Sequence, residues 1–541
     1  MSVNIAHTLS DTARIQGTKT AVIEAGNGRS CSFEELEWYA DRYGAYLQNQ
    51  GFISGERVIL MIRPSIDFIA LSFALFKIGA PVILIDPGMG YKNLLRCIQS
   101  VRPDYLIGIP VVIGLSYLYF NKFKTIKKRF CCGTPFGFKK FDIRGQVTRI
   151  FEDCKTFTAD DNSLAAIIFT TGSTGPPKGV RFEHSIFSSQ LKQIKSYYKI
   201  GSNDIDQPGF PLFALFSTAL GACAVIPDMD PTKPAQVDPE KFVDSIKNYQ
   251  ITYSFGSPAI WNVVSNYCLK HNIRCQSLRK VLMAGAPVSG DLIKNVFTMI
   301  AEEGEIHTPY GATESLPIVS MEGKEIVNKT WVETKRGKGA CVGRALPGVS
   351  IKIIEAADSI LTTLEECSEL ACFEIGEIIV KGDVVTRAYD NNEEQNLVSK
   401  IYDENGFWHR IGDVGYLDDQ GRLWFCGRMA HSVFAEDEIM YTICCEAIIN
   451  NHADVFRSAL VGINTKNGYQ IPVMIVELYK NVSRNEKELI SEIKKICDGE
   501  LLTRNVKHIF IHDSFPVDIR HNAKIFREKL RVWAQQQITG S

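Results

Sequence analysis

Residues 170–179 read TTGSTGPPKG: three glycines, four hydroxyl side chains, two prolines and one lysine. At Gly172 and Gly175 no Cβ stands in the way, so backbone N–H groups can approach phosphate oxygens closely. Thr170, Thr171, Ser173 and Thr174 add hydroxyl donors, and Lys178 adds positive charge. The chemistry this composition suits is the cradling of a phosphate chain. It is not the P-loop of ordinary NTPases, which requires G-x-x-x-x-G-K-[ST]. Counted from Gly172, the sixth position is Pro177, and Gly179 follows Lys178 where the Mg²⁺-binding hydroxyl is needed.

A phosphate cradle needs a rigid strand to present it. LAAIIFTTG (164–172) is apolar and β-rich and runs directly into the loop. Upstream, RVILMI (57–62) and PVILID (81–86) read as buried parallel strands, with FIALSFALFKIG (68–79) as the helix between them. That is a βαβ unit, and ITYSFGS (251–257) and LRKVLMAGAP (278–287) predict more of them. After about residue 345 the texture changes to short strands with tight turns: SIKIIEA, GEIIVKG, GRLWFCGR. A small α+β unit follows from His431, with strands at 458–463, 470–478 and 507–513 and a helix near 484–503. The expected architecture is therefore α/β: a large domain, residues 1–428, of βαβ-built sheets plus a β-barrel-like segment. A small mobile α+β domain, residues 429–541, follows it.

The totals narrow the function classes. The chain has 541 residues and a formal net charge of −1, which gives no electrostatic reason to propose nucleic acid as a partner. The opening MSVNIAHTLSDTARIQG lacks a long apolar core, so no signal peptide is expected. The fifteen cysteines include the doublets Cys131-Cys132 and Cys444-Cys445 but no zinc-like CxxC pairs, which predicts a reduced, cytoplasmic protein. YLIGIPVVIGLSYLYF (105–120) is apolar but short for a spanning helix and carries Pro110 in its middle. It predicts a buried strand and turn leading into a partly exposed helix. With the basic run KFKTIKKRF (122–130) behind it, the alternative is a peripheral membrane contact over residues 105–130 at the inner face of the membrane.

The loop also resembles the phosphate loop, T-[ST]-G-[ST]-T-G-x-P-K-G, of the adenylate-forming superfamily of acyl-CoA synthetases, peptide adenylation domains and luciferases. Other stretches match in the same order. Gly285-Ala286-Pro287 resembles the adenine-side turn, and Tyr310-Gly311-Ala312-Thr313-Glu314 the YGxTE motif. Ile411-Gly412-Asp413 is similar to [TS]GD, Gly427-Arg428 to the start of the hinge, and Ala523-Lys524-Ile525 to the C-terminal GK[IV]. The resemblance implies ATP and Mg²⁺ as cofactors and a carboxylate that attacks the α-phosphorus to give acyl-AMP and pyrophosphate. It implies the loop on the β- and γ-phosphates, Glu314 on Mg²⁺ and Thr313 on the α-phosphate. Asp413 would hold the ribose hydroxyls with Arg428 assisting, and Lys524 would bridge carboxylate and α-phosphate, where charge builds in the transition state.

The acyl acceptor is where the sequence departs from the family. The usual hinge is GRxKDxIxxGGENxxPxEVE; here it is GRMAHSVFAEDEIMYTICCE. Aligned without gaps, His431 replaces the hinge acid, Glu436 and Asp437 replace the two glycines, and Thr442 replaces the proline. In the family those glycines line the path of pantetheine, where two carboxylates would crowd a thiol arm and repel the phosphates of CoA. The family's P-[LM]-[FY]-H is Pro211-Leu212-Phe213-Ala214, inside the apolar run 210–216. That run, with GSPAIW (256–261) and LRKVLMAGAPV (278–288) and FPVDIRHNAKIFREKL (515–530), resembles the β-lactone synthetases of bacterial olefin biosynthesis. The implied substrate is a long-chain 3-hydroxy fatty acid whose own hydroxyl closes a β-lactone. Other enzymes of the olefin/β-lactone pathway are implied as partners. An acyl-CoA ligase, transfer to a carrier protein, and a non-catalytic nucleotide-binding relative are the alternatives.

Overall fold

A computed structural model of the chain describes residues 3–134, 137–170, 176–357, 359–480, 482–517 and 525–539. Two sheets carry the nucleotide-site motifs. The first has six strands among the described residues, in spatial order Lys128–Cys131, Tyr105–Gly108, Val58–Met61, Val82–Leu84, Leu164–Phe169 and Gly179–Glu183. All neighbours are parallel except the last pair, which is antiparallel and flanks the phosphate loop. The expected βαβ unit is present, its crossover helix running Ile66–Lys77 with Ser65 capping the Phe68 N–H. All twelve helix residues are buried. Lys77 is tolerated there because its ammonium pairs with Glu37 and Asp41.

The second sheet is larger. Its parallel part includes Thr20–Glu24, Cys223–Ile226, Tyr253–Gly256, Lys280–Met283 and Glu305–Ala312. From Glu305–Ala312 onward the pairing turns antiparallel, through Ser315–Glu322, Ala340–Ala345, Leu423–Arg428, Gly406–Leu417, Gly376–Gly382 and Val349–Ile354. The antiparallel lobe thus begins about forty residues earlier than the change in sequence texture suggests.

Past Arg428 a separate sheet forms from Val455–Asn464, Gln470–Leu478 and His508–Ile511, packed by helices Thr442–Ile449, Glu486–Gly499 and Arg527–Thr539. Arg527 donates to both oxygens of the buried Glu446 at 2.7 Å, tying the last helix to Thr442–Ile449. The segment 105–120 is a strand, Tyr105–Gly108, then a helix, Pro110–Leu118, with Pro110 at the first turn, where its missing N–H costs nothing. Among the described residues no helix is long and apolar enough to cross a membrane.

Candidate active site

The motifs gather where parallel strands end. The phosphate loop leaves the C-terminal end of Leu164–Phe169, the 285–287 turn follows Lys280–Met283, and Tyr310 to Glu314 close the hairpin of Glu305–Ala312 and Ser315–Glu322. Ligands of α/β sheets bind at this edge because loops and backbone dipoles converge there. Thr171, Gly172, Ser173, Thr174 and Gly175 lie outside the described residues. The neck of the loop is described: the Thr170 N–H donates to the Lys178 carbonyl at 3.0 Å. At the adenine-side turn Gly285 has φ +93°, a left-handed conformation that side chains resist, ahead of Ala286 and Pro287.

The Tyr310–Glu314 turn is clamped from two sides. Tyr310 donates its phenol proton to Asp413 Oδ2 at 2.5 Å, joining the hairpin to the strand Gly406–Leu417. A Cβ on Gly311 would stand 2.2 Å from the Ser315 carbonyl, so only glycine fits. On the other side the Thr386 N–H donates to the Glu314 carbonyl at 2.8 Å, and Tyr389 OH donates to Glu314 Oε1 at 2.7 Å. Thr313 sits in the turn between these clamps.

Tyr389 belongs to none of the family motifs. It bridges to Val180, and its neighbour Asp390 takes two hydrogen bonds from Arg57 at 2.7 and 2.8 Å. These contacts weld the antiparallel lobe to the six-stranded sheet. They also place the Tyr389 ring 5.2 Å from the Lys178 ammonium, so one side chain touches both the loop lysine and Glu314. Lys400 and His409 lie outside those motifs as well. Lys400 is buried, donates to the Thr386 carbonyl at 2.5 Å and stacks over Phe407. Nothing local marks a lone Lys or Tyr as part of a site; only the packing of distant strands does.

Charge balance explains the titration of this cluster. Burial pushes Lys178 down, opposed by the attraction of Glu314. Burial lowers Lys400 to about 7, again against Glu314. His409, fully enclosed beside Lys400, is held well below its usual range, chiefly by burial. Asp413 is pushed up by burial, and Arg428 and Tyr310 oppose that. Arg428 is raised, first by Asp413, whose Oδ1 lies 3.0 Å from its Nε.

These residues fit a bound nucleotide. Asp413 Oδ1 is buried, ion-paired with Arg428 Nε at 3.0 Å but without an aligned hydrogen bond among the described residues, which leaves it open to a ribose hydroxyl. Lys178 and Arg428, beside Glu314 and Asp413, are the cations available to phosphate. Glu314 Oε1 is taken by Tyr389, which leaves Oε2 as the oxygen for a hard cation. Among the described residues no cluster of three His, Cys, Asp or Glu side chains forms a metal cage. One carboxylate plus substrate phosphates is the usual way Mg²⁺ is held.

The hinge starts at Gly427, φ +143°, where a Cβ would meet Thr442 Oγ1 at 2.5 Å. His431 Nε2 lies 3.9 Å from Glu528, linking the hinge to the last helix, and burial lowers its pKa against that carboxylate. Glu436 and Asp437 occupy the exposed turn of the hairpin Val433–Phe434 and Ile439–Met440. Lys524 lies outside the described residues; Val517 and Ile525, on either side of it, form an antiparallel bridge. The apolar run 210–216 enters the helix Phe213–Ala219. Phe213 stacks on Phe255 with ring centroids 3.6 Å apart, while Phe216, Leu212 and Leu215 line a small apolar cavity of about 20 Å³, room for about one water. The run 210–216 is thus in part core packing, and Phe210 is its exposed member.

A two-sheet α/β body with the neck of the loop, Glu314 and Asp413 at one rim, followed by a small α+β unit, is the arrangement of an AMP-forming acid ligase. The chain belongs to the AMP-binding enzyme family, whose model matches residues 9–390. It is 36% identical to the olefin beta-lactone synthetase of Stenotrophomonas maltophilia over 99% of this chain and 98% of that one. It is 38% identical to the olefin beta-lactone synthetase of Xanthomonas campestris pv. campestris, over 94% and 91%. The fold matches the crystal structure of ATP-bound MatB from Rhodopseudomonas palustris, with TM-score 0.80, 21% identity and 99% coverage of both chains.

Proposed function

We propose that the protein activates a long-chain 3-hydroxy fatty acid as acyl-AMP, releasing pyrophosphate, and then lets the substrate's hydroxyl close a β-lactone, releasing AMP. The observation that carries this is the near-full-length identity to two olefin beta-lactone synthetases. In the first step Lys178 and the loop hold the phosphate tail, Asp413 and Arg428 hold the ribose, and Gly285, Ala286 and Pro287 flank the base. Thr313 contacts the α-phosphate, and Tyr310 fixes Asp413. Mg²⁺, held through Glu314, would supply charge neutralisation of the phosphates. Lys524 is the cation from the small domain that meets the carboxylate and α-phosphate. The chain divides, in this proposal, after Arg428 into 1–428 and 429–541.

In the second step the hydroxyl oxygen forms a new C–O bond to the acyl carbon while the acyl–phosphate bond breaks. AMP leaves, and the hydroxyl proton passes to water. An intramolecular nucleophile has a high effective concentration, which offsets part of the ring strain. Glu436 and Asp437, where the CoA-using relatives carry glycines, favour this reading over CoA ligation. The functional partners are the enzyme classes that supply the 3-hydroxy acid and consume the lactone. The test is pyrophosphate release from ATP and Mg²⁺ with a 3-hydroxy long-chain acid and no CoA. Release is expected; none with any acyl chain, with or without CoA, overturns the adenylation.

A further inference from the structure

The helix Pro110–Leu118 is built inside out. Its one fully buried side chain is Ser116, while Val111, Tyr117 and Leu118 stand 59, 64 and 73% exposed, and Phe120 just beyond stands 62% exposed. A helix that faces water does the reverse. The inversion has a local cause. Ser116 Oγ donates to the Ile113 carbonyl at 2.7 Å and accepts from Arg129 Nε at 2.8 Å, so the polar side chain is satisfied inside. Val112 and Ile113 pack on the sheet, and Gly108 is bare beneath them because a Cβ there would stand 2.9 Å from Val112. The remaining apolar side chains point outward.

Cations surround them. Residues 91–130 hold eight Lys or Arg and one acidic residue, in a chain of net charge −1. Among the described residues only Lys127 of the eight pairs with carboxylates, Glu56 and Asp104. Arg129 and Lys122 adjoin the apolar crown. The Arg129 guanidinium lies 4.7 Å over the Tyr117 ring, Lys122 bonds Gln99 of the helix Tyr91–Val101 at 2.8 Å, and the Tyr91 and Tyr119 rings touch at 5.1 Å.

We infer that this face docks on an anionic lipid bilayer. Aliphatic and aromatic side chains enter the boundary between headgroups and acyl chains, and unpaired Lys and Arg reach the lipid phosphates. Lysine is depleted in protein–protein interfaces, so the same composition fits a protein partner less well. The strands Tyr105–Gly108 and Leu164–Phe169 run parallel through the two strands between them. The start of the helix and the phosphate loop therefore leave the same edge of the sheet, three strand spacings or roughly 14 Å apart, while the chain past Leu118 returns to the opposite edge, where the parallel strand Lys128–Cys131 begins.

The test is flotation of the full chain with phosphatidylcholine vesicles, with and without phosphatidylglycerol. Co-flotation is expected with the anionic vesicles at low salt. The double variants Leu118→Ser/Phe120→Ser and Lys122→Glu/Lys124→Glu should each lower it roughly tenfold or more, as should high salt. Unchanged ATP–pyrophosphate exchange with a short soluble acid shows that the variants remain folded. Failure of the wild type to float with anionic vesicles overturns the inference. So does equal flotation on neutral vesicles, or variants that bind as well as wild type. Self-association that Leu118→Ser/Phe120→Ser abolishes, without vesicle binding, assigns the face to a second copy of the chain and overturns it equally.

Discussion

Replacing Lys400 by Met should stabilise the protein at neutral pH and flatten its dependence on pH above 7. The lysine is 3% exposed, and no carboxylate lies within ion-pair distance among the described residues. It titrates at about 7 in the fold and near 10.5 when free. Between those values the folded chain has shed a proton that the unfolded chain still carries. Unfolding therefore takes up a proton, and stability rises with pH across that window by about 1.4 kcal/mol per pH unit. From pH 7 to 9.5 this amounts to about 3 kcal/mol. A cooperative unit of roughly 400 residues has an unfolding entropy near 0.8 kcal/mol/K, so the expected change is about 4 °C in Tm. Methionine nearly matches the lysine stem in volume and carries no charge. The assay is thermal unfolding of wild type and Lys400→Met at matched pH values and scan rate. The difference between them should be largest at pH 7 and shrink by about 4 °C by pH 9.5. A difference that does not vary with pH refutes the reasoning, because it would mean that Lys400 stays charged in the fold.

Other outcomes follow from the site. Tyr389→Phe removes a hydrogen bond to a charged carboxylate, normally about 1.5–3 kcal/mol, so kcat/KM for ATP–pyrophosphate exchange should fall roughly 10- to 100-fold. More Mg²⁺ should be needed for half-maximal rate, and an unchanged Mg²⁺ requirement counts against Glu314 as the metal-side acid. Asp413→Asn should raise the KM for ATP by about tenfold or more while leaving the kcat for a saturated enzyme less affected, since the ribose contact is made before and during reaction. Lys524→Ala should lose most adenylation while retaining ATP binding in a fluorescence titration; normal adenylation sinks its assigned role.

The strands around the loop were legible because each is a short β-rich apolar run closed by Gly or Pro, and parallel buried strands have that texture. The phosphate-loop neck, Gly285, Tyr310, Glu314, Asp413 and Arg428 were legible only as an ordered set, since any one alone reads as an ordinary turn or surface residue. What sequence could not show is how the turn at Glu314 is held. Tyr389, Lys178 and Glu314 are brought into contact by a bridge between Val180 and Tyr389 across 209 positions, and no local pattern encodes that pairing. The run 210–216 could not be assigned to substrate wall or core from sequence for the same reason. An aromatic cluster looks alike whether it faces a substrate or a neighbouring helix, and here Phe216 faces Phe187 in the core while Phe210 stays exposed.

The most direct test of the account is the mass of the product. The protein is incubated with ATP, Mg²⁺ and a 3-hydroxy long-chain acid, with and without CoA. The account predicts a β-lactone, AMP and pyrophosphate in both mixtures. A thioester formed only with CoA, and no lactone in either mixture, would contradict it.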